Sequence, residues 1–559
     1  MTGSSTLLRR EGEPSETDAL LGTDGASKVH EQLATHPPDG PAIHRGTVDA
    51  TSGEHFDDVP HEKRKLGVMS AMFIIFNRII GTGIYATPSN ILYASGSVGV
   101  SLIMWLVGAS IAATGTAVYI ELGSGLPRSG AEKNYLEFIY RRPKFLITCV
   151  FLVYAIITGS SAPNSLVFGE YVVHASALPP TQFNLRFTAF LALTFVFILH
   201  GCFLTTGLRV QNTLGFLKLI ILTGVAIAGI FCLIGVPGFT LHEGYELPNN
   251  LSWNKLWEGS GTGANGFVTG LYYVIWSFIG YSGANYALSE VRDPVRTIKR
   301  AAPIAMISVT TIYMLVNIAY FAVVSKADIL GSRQIIAALF FRNLFGPSAS
   351  RGLSLCIALS TLGNILASQF TQGRVIQELA REGIFPFPSF FATNKPFNAP
   401  LAAMLIPYVI SCGLIMGPTV GDIYLFLINL SSYSLSFINT LVSLGLLLLY
   451  TPAFRELDWD PPFRAWRPVI IAFLLSNILL ITVPLIPPAA GQHVYEHLPY
   501  WLHVFVALAA SVIGVIYWYI WCKWLPRRNG YKLERVWVLQ NDGVSRSIFQ
   551  KVYSTQPSQ

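Results

Sequence analysis

The chain has 559 residues, 52% of them hydrophobic and only 12% charged. Soluble domains carry about 25% charged residues, so the composition excludes a water-soluble enzyme or nucleic-acid binder and implies an integral membrane protein. The net charge of +7 then bears on orientation in a lipid bilayer.

Residues 1–65 are rich in Ser, Thr, Gly, Pro, Asp, Glu and His and hold no apolar h-region. They read as a disordered cytoplasmic tail rather than a cleaved signal peptide. Glu16-Thr17-Asp18-Ala19-Leu20-Leu21 has the form of an acidic dileucine sorting signal, a form that chance in a polar tail also produces. If turnover is controlled by ubiquitin, Lys28 heads the candidate acceptors for ligase adaptors, with Lys63 and Lys65 behind it.

Twelve helices of about 20 apolar residues follow. They lie near 67–92, 98–120, 146–172, 186–204, 210–235, 266–290, 303–325, 351–373, 400–417, 422–450, 468–487 and 500–524, which makes an all-α membrane protein. Lys and Arg concentrate before helix 1 (Lys63, Arg64, Lys65), in the 2–3 loop (Arg128, Lys133, Arg141, Arg142, Lys144), in the 6–7 loop (Arg292, Arg296, Lys299, Arg300), in the 10–11 loop (Arg455, Arg464, Arg467) and in the C-terminal tail. All fall on one side of the membrane in a twelve-helix count, which puts both termini in the cytoplasm. The 7–8 segment, with Lys326, Arg333 and Arg342, strains that rule; around Arg333–Phe345 it is amphipathic enough for a folded helical cap. Asn250-Leu251-Ser252 is a glycosylation sequon on the outer face, with Asn250 the candidate acceptor. The six cysteines all lie in apolar runs without a CxxC, so neither a disulfide framework nor a metal site is expected.

Two helices have the wrong centre for a continuous helix. In the first, Gly81 and Gly83 flank Thr82; in the sixth, Gly280 and Gly283 lie within four residues. Backbone released from a helix in lipid is tolerated where it lines a protein cavity. There its N–H groups suit a carboxylate and its C=O groups a cation. Glycines also permit close helix packing, but paired breaks at matching places in two halves of a hydrophobic chain point to a transporter binding site. Lys218 stands in the middle of an apolar helix, where an unpaired ammonium is expensive. It either snorkels to the cytoplasmic surface or has a buried task.

Several of these stretches resemble one family. Gly81-Thr82-Gly83-Ile84 with Pro88, Pro127-Arg128-Ser129-Gly130-Ala131 with Tyr135, and Val210-Gln211 with Lys218 resemble motifs of the amino acid/polyamine/organocation superfamily. Tyr281-Ser282-Gly283-Ala284-Asn285-Tyr286 and Arg374 with Ala380-Arg381-Glu382-Gly383-Ile384-Phe385-Pro386 resemble its L-type branch. Phe76–Ser89 and the long polar tail are most similar to fungal high-affinity methionine permeases.

The resemblance implies a LeuT-type 5+5 inverted repeat with 12 transmembrane helices, helices 1 and 6 broken. The first repeat would be 66–236, the inverted second repeat 265–450 and the peripheral helices 468–525, followed by a cytoplasmic tail 526–559. It implies a substrate site at Ile79, Gly81, Thr82, Gly83, Ile279, Gly280, Tyr281, Ser282, Gly283 and Asn285. The N–H groups of Thr82 and Gly83 would take an α-carboxylate, and the carbonyls of Ile79, Ile279 and Ser282 an α-ammonium. Asn285 would line the pocket or pin a helix. Ile279 and Ala284 replace bulky aromatic residues of the family, so an unbranched thioether side chain fits. Lys218 resembles a fixed substitute for a bound sodium ion, with Ser360 and Thr361 as its neighbours on helix 8; proton coupling is compatible with it. Arg78, where the family more often has an uncharged residue, would either close an inner gate with Glu290 or snorkel at the cytoplasmic vestibule. The segment Tyr531–Tyr553, too short and polar to span, would plug the vestibule or lie loosely at the membrane.

The function expected is proton-coupled uptake of L-methionine and related neutral amino acids by alternating access, at the plasma or the vacuolar membrane, by a monomer without cofactors. A neutral amino acid exchanger and a non-transporting sensor are the alternatives. No HExxH, GxSxG or P-loop is present, so an enzyme or ATPase is not expected.

Overall fold

A computed structural model of the chain describes residues 66–261, 263–332, 334–417, 419–488, 493–539 and 545–553. The dileucine-like hexapeptide, Lys28, Lys63, Lys65 and Arg333 lie outside the described residues.

Helix α1 (Val68–Ile79) is followed by α2 (Gly83–Ala86) and α3 (Pro88–Ser95), whose first residue is a proline that needs no N–H partner there. Next come α4 (Val98–Gly125), α5 (Glu132–Ile139), α6 (Leu146–Thr158), α7 (Ala162–Ala175), α8 (Gln182–Cys202) and α9 (Leu204–Ile234). The second half runs through α10 (Ala264–Phe278), a 3-10 segment Gly283–Glu290, α11 (Pro294–Val323), α12 (Ile336–Arg381), α13 (Leu401–Ile415), α14 (Val420–Leu449), α15 (Arg467–Thr482) and α16 (Leu502–Tyr519). Caps mark several starts: Ser97 accepts from Val100 N, Thr181 from Asn184 N and Asp293 from Arg296 N.

Among the described residues, ten helical segments are long and apolar enough to cross a membrane; α10 and α13, each 15 residues, fall short of that length. The chain is a multi-pass membrane protein. Small residues set the helix spacing. A Cβ added at Gly229 of α9 would sit 2.1 Å from Ala319 Cβ on α11, and one at Gly108 of α4 would sit 2.4 Å from Val274 Cγ1 on α10. Such contacts replace the hydrophobic drive that lipid cannot supply.

The structure refines several expected boundaries. The third helix is interrupted: α6 stops at Thr158 and α7 begins at Ala162. Helix α12 is far longer than 351–373, but Gly346 inside it has φ 83 and ψ 173, so it is two helices meeting at a sharp bend. The piece before the bend supplies the helical cap expected between helices 7 and 8.

The expectation of helices alone is corrected at the C-terminus. Strands β1 (Tyr531–Leu539) and β2 (Ser545–Tyr553) pair antiparallel from Tyr531↔Tyr553 to Leu539↔Ser545. Apolar and charged residues alternate with the period of a strand from Tyr531 to Glu534, but not beyond. Phe549 docks this hairpin: its ring lies 4.6 Å from Phe145 and 5.1 Å from Trp521, and its N–H donates to Glu382 O at 2.8 Å. Phe549→Ala is expected to cost about 1–2 kcal/mol, from two lost aromatic pairs and partial burial. A lowered melting temperature of the purified chain checks this.

Candidate functional site

Helix α1 ends at Ile79. Ile80 is extended, with φ −70 and ψ 99, and α-helix resumes at Gly83. Across the bundle α10 ends at Phe278, Ile279 turns extended with φ −56 and ψ 126, and Gly280 has φ 120. A side chain at Gly280 would be strained by that φ, and its Cβ would also sit 2.5 Å from Arg78 Cγ and 2.9 Å from the Arg78 carbonyl carbon. The two interruptions thus lie against each other. Between them is a cavity of about 340 Å³, lined at the interruptions by Ile79, Gly81, Thr82, Gly83 and Ile279–Gly283. It extends toward Gln211, Asn212 and Gln372.

The backbone groups freed at these interruptions divide into two sets. One set is held by protein. Lys218 Nζ, on α9 and 1% exposed, donates to Asn77 O at 2.9 Å and Ile80 O at 2.7 Å. The Tyr313 hydroxyl, on α11, lies 3.1 Å from Ile79 O and 3.2 Å from Ser277 O. It therefore bridges the ends of α1 and α10. Ser282 O accepts from Asn285 N at 2.9 Å. The other set faces the cavity: the N–H groups of Thr82 and Gly83 and the carbonyl of Ile279 bond to nothing among the described residues.

Side chains fix this geometry. Thr82 Oγ1 donates to Asn164 Oδ1 at 2.7 Å, tying the link between α1 and α2 to α7. Thr87 donates to Gly83 O at 2.8 Å and lies 3.1 Å from Ser277 Oγ. Gly83 is held tight, because an added Cβ would fall 2.4 Å from Ser277 Oγ and 2.8 Å from Ser277 Cα. Gly283 is not, since its nearest neighbour would be 3.6 Å away.

Other candidates fall elsewhere. Asn285 is turned away from the cavity: its amide donates to Tyr119 O and the Tyr135 hydroxyl, both at 2.8 Å. It pins α4 and α5, the second of the two roles expected of it, and does not line the cavity. Ser360 and Thr361 are buried in α12, and Thr361 donates to Ala358 O in its own helix at 2.8 Å. The Glu290 side chain lies outside the described residues. Asn250 is corrected as a glycan acceptor: Nδ2, the atom a glycan would need, donates to Phe321 O at 2.9 Å and Val324 O at 2.8 Å, and the residue is 7% exposed.

Sequence reasoning missed Glu132, Asn164, Tyr313 and Asn364. Glu132, 3% exposed, lines the cavity and accepts from Ser282 Oγ at 3.2 Å and from the Tyr286 hydroxyl. Burial pushes its carboxyl above the usual range, against the hydrogen bonds from Tyr286, its own backbone N–H, Tyr119 and Ser282. Its place directly after the Pro127–Ala131 motif was the available signal. Asn164, Tyr313 and Asn364 lie among other polar residues of their helices and carry no spacing signal that sets them apart.

Paired interruptions around a cavity, with unbonded backbone N–H and C=O groups there, fit a membrane carrier of small charged solutes. The amino acid permease family model matches residues 66–508. The chain belongs to the amino acid permease family. This permease is 41% identical over 511 residues to the high-affinity methionine permease of Saccharomyces cerevisiae, covering 91% of this chain and 88% of that protein. It is 29% identical over 487 residues to the low-affinity methionine permease of the same organism, covering 86% of each. It is 31% identical over 435 residues to the human Asc-type amino acid transporter 1, covering 75% of this chain and 76% of that protein. These relatives are transporters, not enzymes.

The contrast between two glycines checks the geometry. Gly83→Ala is expected to destabilise the permease and lower its folded yield. Gly283→Ala should leave both near the parent's, as thermal unfolding and size-exclusion chromatography of the purified variants will show.

Proposed function

We propose that this permease imports L-methionine with protons by alternating access. The observation that carries the reading is 41% identity, over 91% of the chain, to a high-affinity methionine permease. The cavity supports it chemically. The Thr82 and Gly83 N–H groups suit an α-carboxylate, helped by the positive end of the helix that starts at Gly83. The Ile279 carbonyl suits an α-ammonium, and Ile79 O and Ser282 O keep a second lone pair each for it. Ile279 and Trp276, also on the wall, offer apolar contact to a thioether chain.

The architecture in this reading is twelve transmembrane helices, with α10 and α13 completing the ten longer ones, arranged as two inverted repeats of five with two peripheral helices. The repeats span 66–236 and 265–450, with broken first and sixth helices. Both termini are cytoplasmic in a plasma-membrane monomer. Lys218 occupies the place of a coupling cation, so sodium is not required and protons supply the gradient. No cofactor enters the cycle.

Proteoliposome uptake of radiolabelled methionine, with and without an inward proton gradient, tests this. Gradient-driven accumulation is expected, and Gly280→Ala should abolish it by straining the second break. Uptake only into vesicles preloaded with amino acid would make the permease an exchanger. Saturable binding without accumulation would make it a sensor.

A further inference from the structure

The end of the cavity away from the free Thr82 and Gly83 N–H groups holds two opposite charges that do not touch. Arg78 lies in the last turn of α1, with its stem against Gly280 and Gly283. It lines the cavity and forms no hydrogen bond or ion pair among the described residues. Glu132 lines the same cavity from α5. Arg78 is half-buried, and a guanidinium withdrawn from water loses hydration that an ion pair with a carboxylate would replace. The carboxylate meanwhile takes its bonds from two neutral hydroxyls, Ser282 and Tyr286, which are weaker partners than a guanidinium.

The mounting of the two residues differs. Helix α5 is anchored, because Lys133 pairs with Glu382 and with Glu137 at 3.3 Å, and Glu382 O holds the C-terminal hairpin through Phe549 N. Arg78 sits in the last turn of a half-helix that stops one residue later, with Lys218 and Tyr313 holding the carbonyls on either side of it.

We propose that Arg78 and Glu132 are the two halves of an inner gate. In the structure they line one cavity without an ion pair between them. When the mouth closes, the Arg78 guanidinium takes the Glu132 carboxylate in place of the Ser282 and Tyr286 hydroxyls. That bond holds the inner half of α1 against α5. The proposal rests on the alternating-access reading and assigns Glu132, rather than Glu290, as the partner of Arg78.

Charge reversal separates a gate from a merely structural carboxylate. Arg78→Glu and Glu132→Arg should each lower uptake by about tenfold or more, since each leaves a buried charge facing its like. Each should also raise labelling of a reporter, Gln372→Cys, by a thiol reagent applied from the cytoplasmic side, measured against the parent without the reporter. The double reversal restores the closed-state pair although the Ser282 and Tyr286 bonds stay lost, so uptake and labelling should both return toward the parent. A double variant no better than the worse single variant, in both readouts, overturns the proposal. So does an Arg78→Gln variant that matches the parent in both. If the parent itself accumulates no amino acid, the transport reading fails, while labelling still reports whether the pair closes the mouth.

Discussion

The site depends on how the broken backbone of the first helix is satisfied. Interrupting a helix at Ile79 strips carbonyls of their partners inside a bundle that offers no water. Each buried carbonyl left bare costs about 1–3 kcal/mol. Lys218 satisfies two, Asn77 O and Ile80 O, with one ammonium. Bonds to a charged donor contribute about 1.5–3 kcal/mol each, against a desolvation cost of several kcal/mol for a buried ion. The lysine and the break stabilise one another, and neither belongs in a membrane alone.

Everything nearer the cavity builds on that pair. With Asn77 O and Ile80 O occupied by Lys218 and Ile79 O by Tyr313, the carbonyl side of the first break is largely satisfied, while the N–H side at Thr82 and Gly83 stays open. Tyr313 reaches Ser277 O as well, so the same hydroxyl relates the two interruptions. The Thr82–Asn164 bond and the Gly83–Ser277 contact then set the cavity's walls. The polarity of the site is thus decided by which backbone groups the protein leaves unbonded, and side chains act mainly as scaffolding.

How much was legible in the sequence follows from what kind of signal each feature leaves. Glycine pairs inside apolar runs mark the interruptions, because glycine is costly in a helix unless the break is used. A lysine at position 218 stands out because charge in an apolar helix is rare. The glycine pairs located the two breaks, and the family resemblance supplied the individual residues Ile79, Gly81, Thr82, Gly83 and Ile279–Gly283, which line the cavity. For Asn285 the sequence left pocket-lining and helix-pinning both open, because its motif adjoins the break; its position on the 3-10 segment turns the amide toward Tyr119 and Tyr135. Asn164 and Tyr313 left no mark, since what makes them matter is a partner 82 and 234 residues away in sequence. The hairpin at 531–553 was readable as amphipathic but not as β, because its strands lie beyond the hydrophobic pattern that organises the rest.

The most direct test of the account is equilibrium binding of radiolabelled methionine to the purified chain and to Lys218→Met. The variant removes the ammonium while keeping an unbranched side chain of similar reach. With Asn77 O and Ile80 O unpartnered, the break should collapse toward helix or rearrange, and affinity should fall by about tenfold or more, the loss of roughly one charged hydrogen bond. A variant that folds, runs as a single species and binds methionine as tightly as the parent would contradict the claim that Lys218 holds the site open.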